Sequence, residues 1–233
     1  MGVNATSLIA AVAMAAGAGR RFGLKPKALL QRDGESLLVR QIRLLDEAGV
    51  RQVAVVLGHH AERLSPVVQR IAAARPHLDV RIALNPSPDD GPGRSLRCGL
   101  RALPAADDSA GSADAPGYLV LLADQPLLEV GDVSAMLRAW RDRAANIDLV
   151  VPTHQGQPGH PLVFGASVRQ AILQGQGGEG VREWRRAHPE RVSLIPMGHA
   201  RGVTDVDTPD DLQTLADQHG VRLRWPDEAD GTD

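Results

Sequence analysis

Short apolar runs rich in branched residues alternate along this chain with longer stretches of helical period, and few architectures satisfy that order. Strands that read as near-continuous Val, Leu and Ala must be covered on both faces, and helices between successive strands supply that cover in parallel βαβ units. Strands are predicted at Leu8 to Met14, Gln52 to Leu57, Val80 to Leu84, Tyr118 to Ala123, Leu149 to Pro152 and Val192 to Pro196, with a candidate antiparallel piece at Pro161 to Phe164. Helices are predicted at about 36–49, 60–75, 94–103, 131–145, 166–174, 179–187 and 209–218. Gly49 sits where a helix C-terminal cap belongs, and Thr208-Pro209 reads as an N-cap followed by a first helical residue. The expected fold class is α/β, a Rossmann-like three-layer sandwich around a mainly parallel central sheet.

With 233 residues, 43% of them hydrophobic, the chain can bury one sizeable core, so one domain is expected over residues 1–220. Residues 104–117, rich in Ala, Asp, Ser, Gly and Pro without periodicity, read as a flexible surface insertion, and 221–233 as a frayed C-terminal tail ending in acidic residues. No internal repeat is found at solenoid spacing. The formal charge of -2 gives no pull toward nucleic acid or an acidic membrane, which favours small-molecule chemistry. A lone cysteine, Cys98, excludes an intramolecular disulfide and any cysteine-built metal cluster, in keeping with a cytoplasmic protein. The apolar run Ser7 to Ala16 lacks the preceding Lys or Arg of a signal peptide, and no run reaches the roughly 18 apolar residues of a membrane span.

The first strand runs into Ala15-Ala16-Gly17-Ala18-Gly19-Arg20-Arg21-Phe22-Gly23-Leu24-Lys25-Pro26-Lys27. Glycines permit positive φ and close backbone approach, so successive N–H groups can face phosphate oxygens beside the cations of the loop. Of the chain's 26 basic residues only Lys25 and Lys27 are lysine, a placement that suits a site needing a compact point charge. A dinucleotide fingerprint does not fit: the glycines fall at 17, 19 and 23, Pro26 interrupts the segment, and the second strand ends in Gly58-His59-His60 without an acid for ribose. A P-loop does not fit either, because Ala28 follows Lys27 where a hydroxyl must hold magnesium.

The combination Ala-Ala-Gly-x-Gly-x-Arg-Phe-Gly and Pro-Lys-x-Leu resembles the signature of the sugar-phosphate and cofactor nucleotidyltransferases, and within them the molybdenum cofactor cytidylyltransferases, over about residues 8–216. The resemblance implies a nucleotidyltransferase-type fold and an enzyme that binds nucleotide with Ala15, Ala16, Gly17 and Gly19. Arg21 and Lys27 then bind the triphosphate, with Arg20 and Lys25 secondary.

Strand Tyr118 to Ala123 delivers Asp124-Gln125-Pro126 at its carboxyl end, where Pro126 stops the strand and presents Asp124. Magnesium takes one or two carboxylates plus phosphate oxygens, and Asp-Gln-Pro resembles the family's Mg²⁺-binding turn. In Thr204-Asp205-Val206-Asp207-Thr208-Pro209, an extended backbone puts Asp205 and Asp207 on one side. The resemblance favours Asp207 as the second ligand, with Asp205 supporting or alternative, while Asp210 and Asp211 suit a first helical turn.

Ser95, in a Gly-then-Ser-Leu-Arg element similar to the family's, is a candidate base contact or a plain capping residue. On the acceptor side the resemblance points to His160 in Gly-His-Pro and to the Gly175–Gly180 run with Arg182 and Arg185; a structural hydrogen bond is an equal alternative for His160. His59 and His60 are adjacent and face different directions, so no metal is assigned to them. The implied reaction transfers CMP from CTP to the phosphate of molybdopterin, with Mg²⁺ as cofactor and Lys27, Arg21 and Asp124 as catalytic residues. Transient contact with a molybdenum hydroxylase is implied as well. Rival expectations are a guanylyltransferase or sugar- or alcohol-phosphate transferase of the same fold, and a non-catalytic cofactor-delivery protein. A pyridine-nucleotide oxidoreductase is disfavoured by the missing acid.

Overall fold

The computed structural model describes residues 9–104, 116–175 and 178–226. The chain runs β1 (Ile9–Ala15), β2 (Gln31–Arg32), β3 (Glu35–Ser36), α1 (Leu37–Glu47), β4 (Gln52–Leu57), α2 (Ala61–Ala74), β5 (Asp79–Leu84) and α3 (Pro92–Ala102). It continues through β6 (Gly117–Leu122), α4 (Val130–Arg141), β7 (Leu149–His154), β8 (Gln157–Pro158), β9 (Leu162–Phe164), α5 (Ala166–Gln174), α6 (Val181–Ala187), β10 (Val192–Pro196), α7 (Pro209–His219) and β11 (Leu223–Arg224). The main sheet has the order β10-β7-β9-β6-β1-β4-β5, with β8 paired to β7. β1 lies parallel to both β4 and β6, whereas β9 is antiparallel to β6 and β7 and separates them.

Alternation along the central strands divides the core into two layers. Ala11, Ala13 and Ala15 of β1 and Val53, Val55 and Leu57 of β4 face a layer shared with Leu38 and Ile42 of α1, Leu64 and Val68 of α2, and Met136 and Trp140 of α4. Val12 and Ala10, with Val56 and Ala54, face the opposite layer with Leu96 and Leu100 of α3, Val168 and Ile172 of α5 and Trp184 of α6. Each fully buried Val or Leu contributes about 1.5–3 kcal/mol relative to exposure. A one-residue slip of β1 would therefore exchange both layers at once. Gly99 lets α3 approach the sheet, because a Cβ there would stand 2.5 Å from Val12 Cγ1 and 2.8 Å from Val56 Cγ2.

A smaller sheet, β11-β2-β3, covers a third apolar cluster of Phe22, Leu30, Leu37, Leu127, Val206, Leu215 and Leu223. Here the structure departs from the expected frayed end. Residues 221–225 are not loose: Leu223 and Arg224 pair antiparallel with Arg32 and Gln31, and Val221 and Trp225 pack on the third cluster. Two-residue strands carry no readable period, so the sequence hid them. The expected insertion falls mainly on 105–115, and the acidic end on 227–233, both outside the described residues. Among the described residues no helix is long and apolar enough to cross a membrane.

Candidate functional site

β1 ends beside the carboxyl ends of β4 and β6, and the chain then turns sharply through the glycine-rich loop. Gly19 takes φ 62° and Gly23 φ 65°, flanking a 3₁₀ turn at Arg20–Phe22. The amides of Phe22 and Leu24 both donate to Gly19 O, at 2.9 and 3.1 Å, which folds the loop back on itself. A Cβ on Gly19 would lie 2.0 Å from Lys25 O, so glycine is obligatory there, while one on Gly17 would meet no protein atom within 4 Å. His60 Nε2 donates to Ala18 O at 2.9 Å and ties the loop to the start of α2. The loop forms one wall of a cavity of about 510 Å³, whose lining includes Ala16, Gly17, Gly19, Arg20, Arg21, Lys27, Ser95, Asp124 and Asp207.

At its base the Lys27 ammonium lies between two carboxylates, 2.5 Å from Asp124 Oδ2 and 2.8 Å from Asp207 Oδ1. Arg21 Nη1 stands 3.9 Å from Asp207 Oδ2 and is otherwise exposed. Burial disfavours the Lys27 charge, but the attraction and hydrogen bonds of Asp124 and then Asp207 outweigh it and hold its pKa above the ordinary value. Lys27 is thus a fixed cation at neutral pH.

Asp124 and Asp207 are far apart in sequence, and backbone and amide contacts join them. Val206 N donates to Asp124 O at 3.0 Å. The buried Gln125 spends its amide nitrogen on Gly202 O and Asp205 Oδ1, each at 2.9 Å, and Gln41 Nε2 donates to Gln125 O at 2.6 Å. Arg201 forms a bidentate pair with the buried Asp132, at 2.8 and 2.9 Å, fixing the same loop from α4. Asp211 Oδ2 accepts from the amides of Asp207 and Thr208, both at 2.7 Å, and Thr208 caps α7 in return. Asp205 does not line the cavity. Desolvation, then the neighbouring Asp124 carboxylate, push its pKa up to about 6 despite the Gln125 hydrogen bond.

The remaining predicted residues divide into those at the cavity and those away from it. Ser95 lines it, buried, its Oγ accepting from Asn85 Nδ2 at 2.9 Å, so its hydroxyl is oriented by a side chain and not by the helix backbone. Arg20 pairs with Asp89 at 2.9 Å across the mouth, and His59 Nε2 is 3.1 Å from the same oxygen. Ala15 closes β1 and lines only a recess of about 30 Å³ behind Lys27. Lys25 turns away from the cavity, its Nζ 5.0 Å from the Trp225 ring centre, so the two lysines do not share a site. His160 and Arg182 are absent from the lining. Arg182 is exposed on α6. His160 N donates to Gly202 O at 2.8 Å, and desolvation pushes its imidazole down to about 4. Of the Gly175–Gly180 run, Gly178 and Glu179 pack against the first turn of α3, where a Cβ on Gly93 would stand 2.3 Å from Gly178 O and 2.1 Å from Glu179 O.

Sequence reading missed Gln125, Gln41, His60 and the Asp132–Arg201 pair. Gln125 was in plain view between Asp124 and Pro126; the others act across distant segments and carry no local pattern. Among the described residues no group of three or more His, Cys, Asp or Glu side chains forms a metal cage. Two carboxylates converging on one cation suit a hard divalent ion that keeps its remaining positions for phosphate oxygens and water.

Comparison with known proteins places this geometry in context. A protein-family model described as the MobA-like NTP transferase domain matches residues 11–192. Nicotine blue oxidoreductase of Paenarthrobacter nicotinovorans is 30% identical over 220 residues, covering 92% of this chain and all of that protein. The bifunctional protein GlmU of Mycobacterium ulcerans is 31% identical over 157 residues, 66% of this chain but only 30% of the larger protein. Two crystal structures of Rv0371c from Mycobacterium tuberculosis H37Rv superpose with TM-scores of 0.67 and 0.65 at 24% and 23% identity. They cover 91% of this chain and 98% and 99% of theirs, and the second is described as a complex with manganese.

Proposed function

The chain belongs to the MobA-like NTP transferase family, and on that premise we propose that it transfers a nucleoside monophosphate, CMP from CTP, to the phosphate of molybdopterin. The observation that carries the reading is the Lys27 ammonium held 2.5 Å from Asp124 and 2.8 Å from Asp207 at the end of a glycine loop lined with unblocked backbone. An acceptor phosphate oxygen forms a bond to the α-phosphorus while the bond to the β-phosphate oxygen breaks, and pyrophosphate leaves with its charge. Asp124 and Asp207 would hold Mg²⁺, which when bound neutralises phosphate charge and orients the reacting oxygens. Lys27 faces the α-phosphate and Arg21 the β/γ portion, where their charges stabilise the transition state without a covalent intermediate. Gly17 leaves room for a phosphate where a side chain would intrude, and the N-terminus of α3 with Ser95 contacts the base. This reading assigns the acceptor side to His160 and Arg182, and delivery to a molybdenum hydroxylase would follow release.

Pyrophosphate release with each of the four nucleotides and molybdopterin, in Mg²⁺ and in EDTA, tests the proposal: turnover should be specific for CTP and lost in EDTA. Lys27→Ala should remove roughly 3 kcal/mol of transition-state stabilisation, about a hundredfold in rate or more. Full activity in that variant would withdraw the role given to Lys27. A second reading is favoured by the relative named as an oxidoreductase, whose whole length matches 92% of this chain. Tight binding of NADH or NADPH without pyrophosphate release from any nucleotide would select it.

A further inference from the structure

We infer that Trp225 is a positioning residue for the loop that carries Arg21 and Lys27, and that the C-terminal strand before it is part of the same device. The inference rests on the nucleotidyl-transfer reading only for its effect on nucleotide binding. Four groups of the site each stand near a member of the third apolar cluster: Arg21 next to Phe22, Lys27 three residues before Leu30, Asp124 three before Leu127 and Asp207 next to Val206. The cluster is therefore the common floor on which the loop, the Asp-Gln-Pro turn and the Asp207 segment are set. Its outer wall comes from the end of the chain, Val221, Leu223 and Trp225.

Trp225 makes two contacts to the loop itself. Its ring meets Phe22 edge to face, with centroids 5.8 Å apart and planes at 73°, and the Lys25 ammonium stands 5.0 Å above it. Phe22 belongs to the 3₁₀ turn between Gly19 and Gly23, both in left-handed conformations, so the turn has soft joints on either side. Beside the Gly19 O hydrogen bonds and the His60 tie at Ala18, the aromatic pair holds the Phe22 side of the turn with a preferred angle as well as buried area. β11 fixes the ring in turn by pairing with β2, which begins four residues after Lys27.

Trp225→Ala and Trp225→Phe in the full chain separate a positioning role from a merely structural one. In Trp225→Ala, amide hydrogen exchange at Phe22, Gly23 and Leu24 should rise about tenfold while β1 and β4 stay protected. The CTP dissociation constant should rise about fivefold and kcat should fall with it as the loop carrying Lys27 loosens, and Trp225→Phe, which keeps a ring against Phe22, should restore both. Unchanged loop exchange in Trp225→Ala overturns the inference, as does exchange raised evenly through the molecule with CTP affinity intact. If Trp225→Ala does not accumulate folded, Trp225→Leu keeps the core filled without the ring and carries the same expectations. A wild-type protein that binds no CTP would refute the choice of CTP and leave the loop inference standing, because the exchange measurement needs no ligand.

Discussion

Gly19 and Lys27 place different demands on their neighbours. At Gly19 the demand is steric: φ is 62° and a Cβ would stand 2.0 Å from a backbone oxygen, which cannot move aside as a side chain can. Gly19→Ala should cost about 1–2 kcal/mol in urea unfolding through the left-handed backbone alone. The displaced loop should also lose most nucleotide affinity by calorimetry, although the two main core layers stay intact. At Lys27 the demand is for compactness, because the side chain is only 15% exposed and must fit between two carboxylates. A guanidinium is planar and needs a fork of acceptors, so arginine is a poor substitute even in a chain that otherwise favours it. Lysine scarcity marked the loop that walls the cavity but did not by itself separate Lys27 from Lys25; the motif match ranked Lys25 second, and in the structure Lys27 lies between Asp124 and Asp207 while Lys25 stands over Trp225.

Elements long enough to show a period were legible: β4 and β10 fall on their predicted spans, and the seven predicted helices are present with ends shifted by a few residues. Their legibility has a physical cause, since strands covered on both faces and helices with one apolar stripe write their burial into the sequence. β2, β3 and β11 did not, because two residues of strand have no period and are held by what they pack on. The loop, Asp124 and Asp207 were readable from motif order, whereas the Gln125 clamp depends on where residues 202 and 205 come to lie. Close approach of α3 to β1 and β4 is a further feature that only packing shows. Gly99→Ala should destabilise by about 1–3 kcal/mol through overpacking against Val12 and Val56, measured by urea unfolding. Adding Val12→Ala should be less costly in that background than alone, a coupling read from the double-mutant cycle. Simple additivity would mean that α3 shifts freely and that Gly99 does not set its distance.

At the scale of the whole molecule the site exists only when distant parts of the chain meet. The first half brings the glycine loop and Lys27, and β6 brings Asp124. The segment after β10 brings Asp207, held by Gln125, by Arg201 on Asp132 and by the His160 amide on Gly202. These contacts close the second half of the fold over the carboxyl edge of the sheet, and His160 gives that closure a pH dependence. Its imidazole has an ordinary pKa of 6.5 and is pushed by desolvation to about 4 in the folded protein. Between those values the unfolded chain binds a proton that the folded one excludes, so stability is full above pH 6.5 and falls as pH drops toward 4. The loss attributable to this group should approach about 2 kcal/mol, less than the full linkage value because His160 as a residue keeps part of its surface exposed. Urea unfolding at pH 7 and pH 4.5 should show wild type losing more stability than His160→Asn by most of that amount. Equal losses in the two proteins would mean that the imidazole reaches solvent and titrates normally, leaving closure of the Gly202 segment independent of its charge.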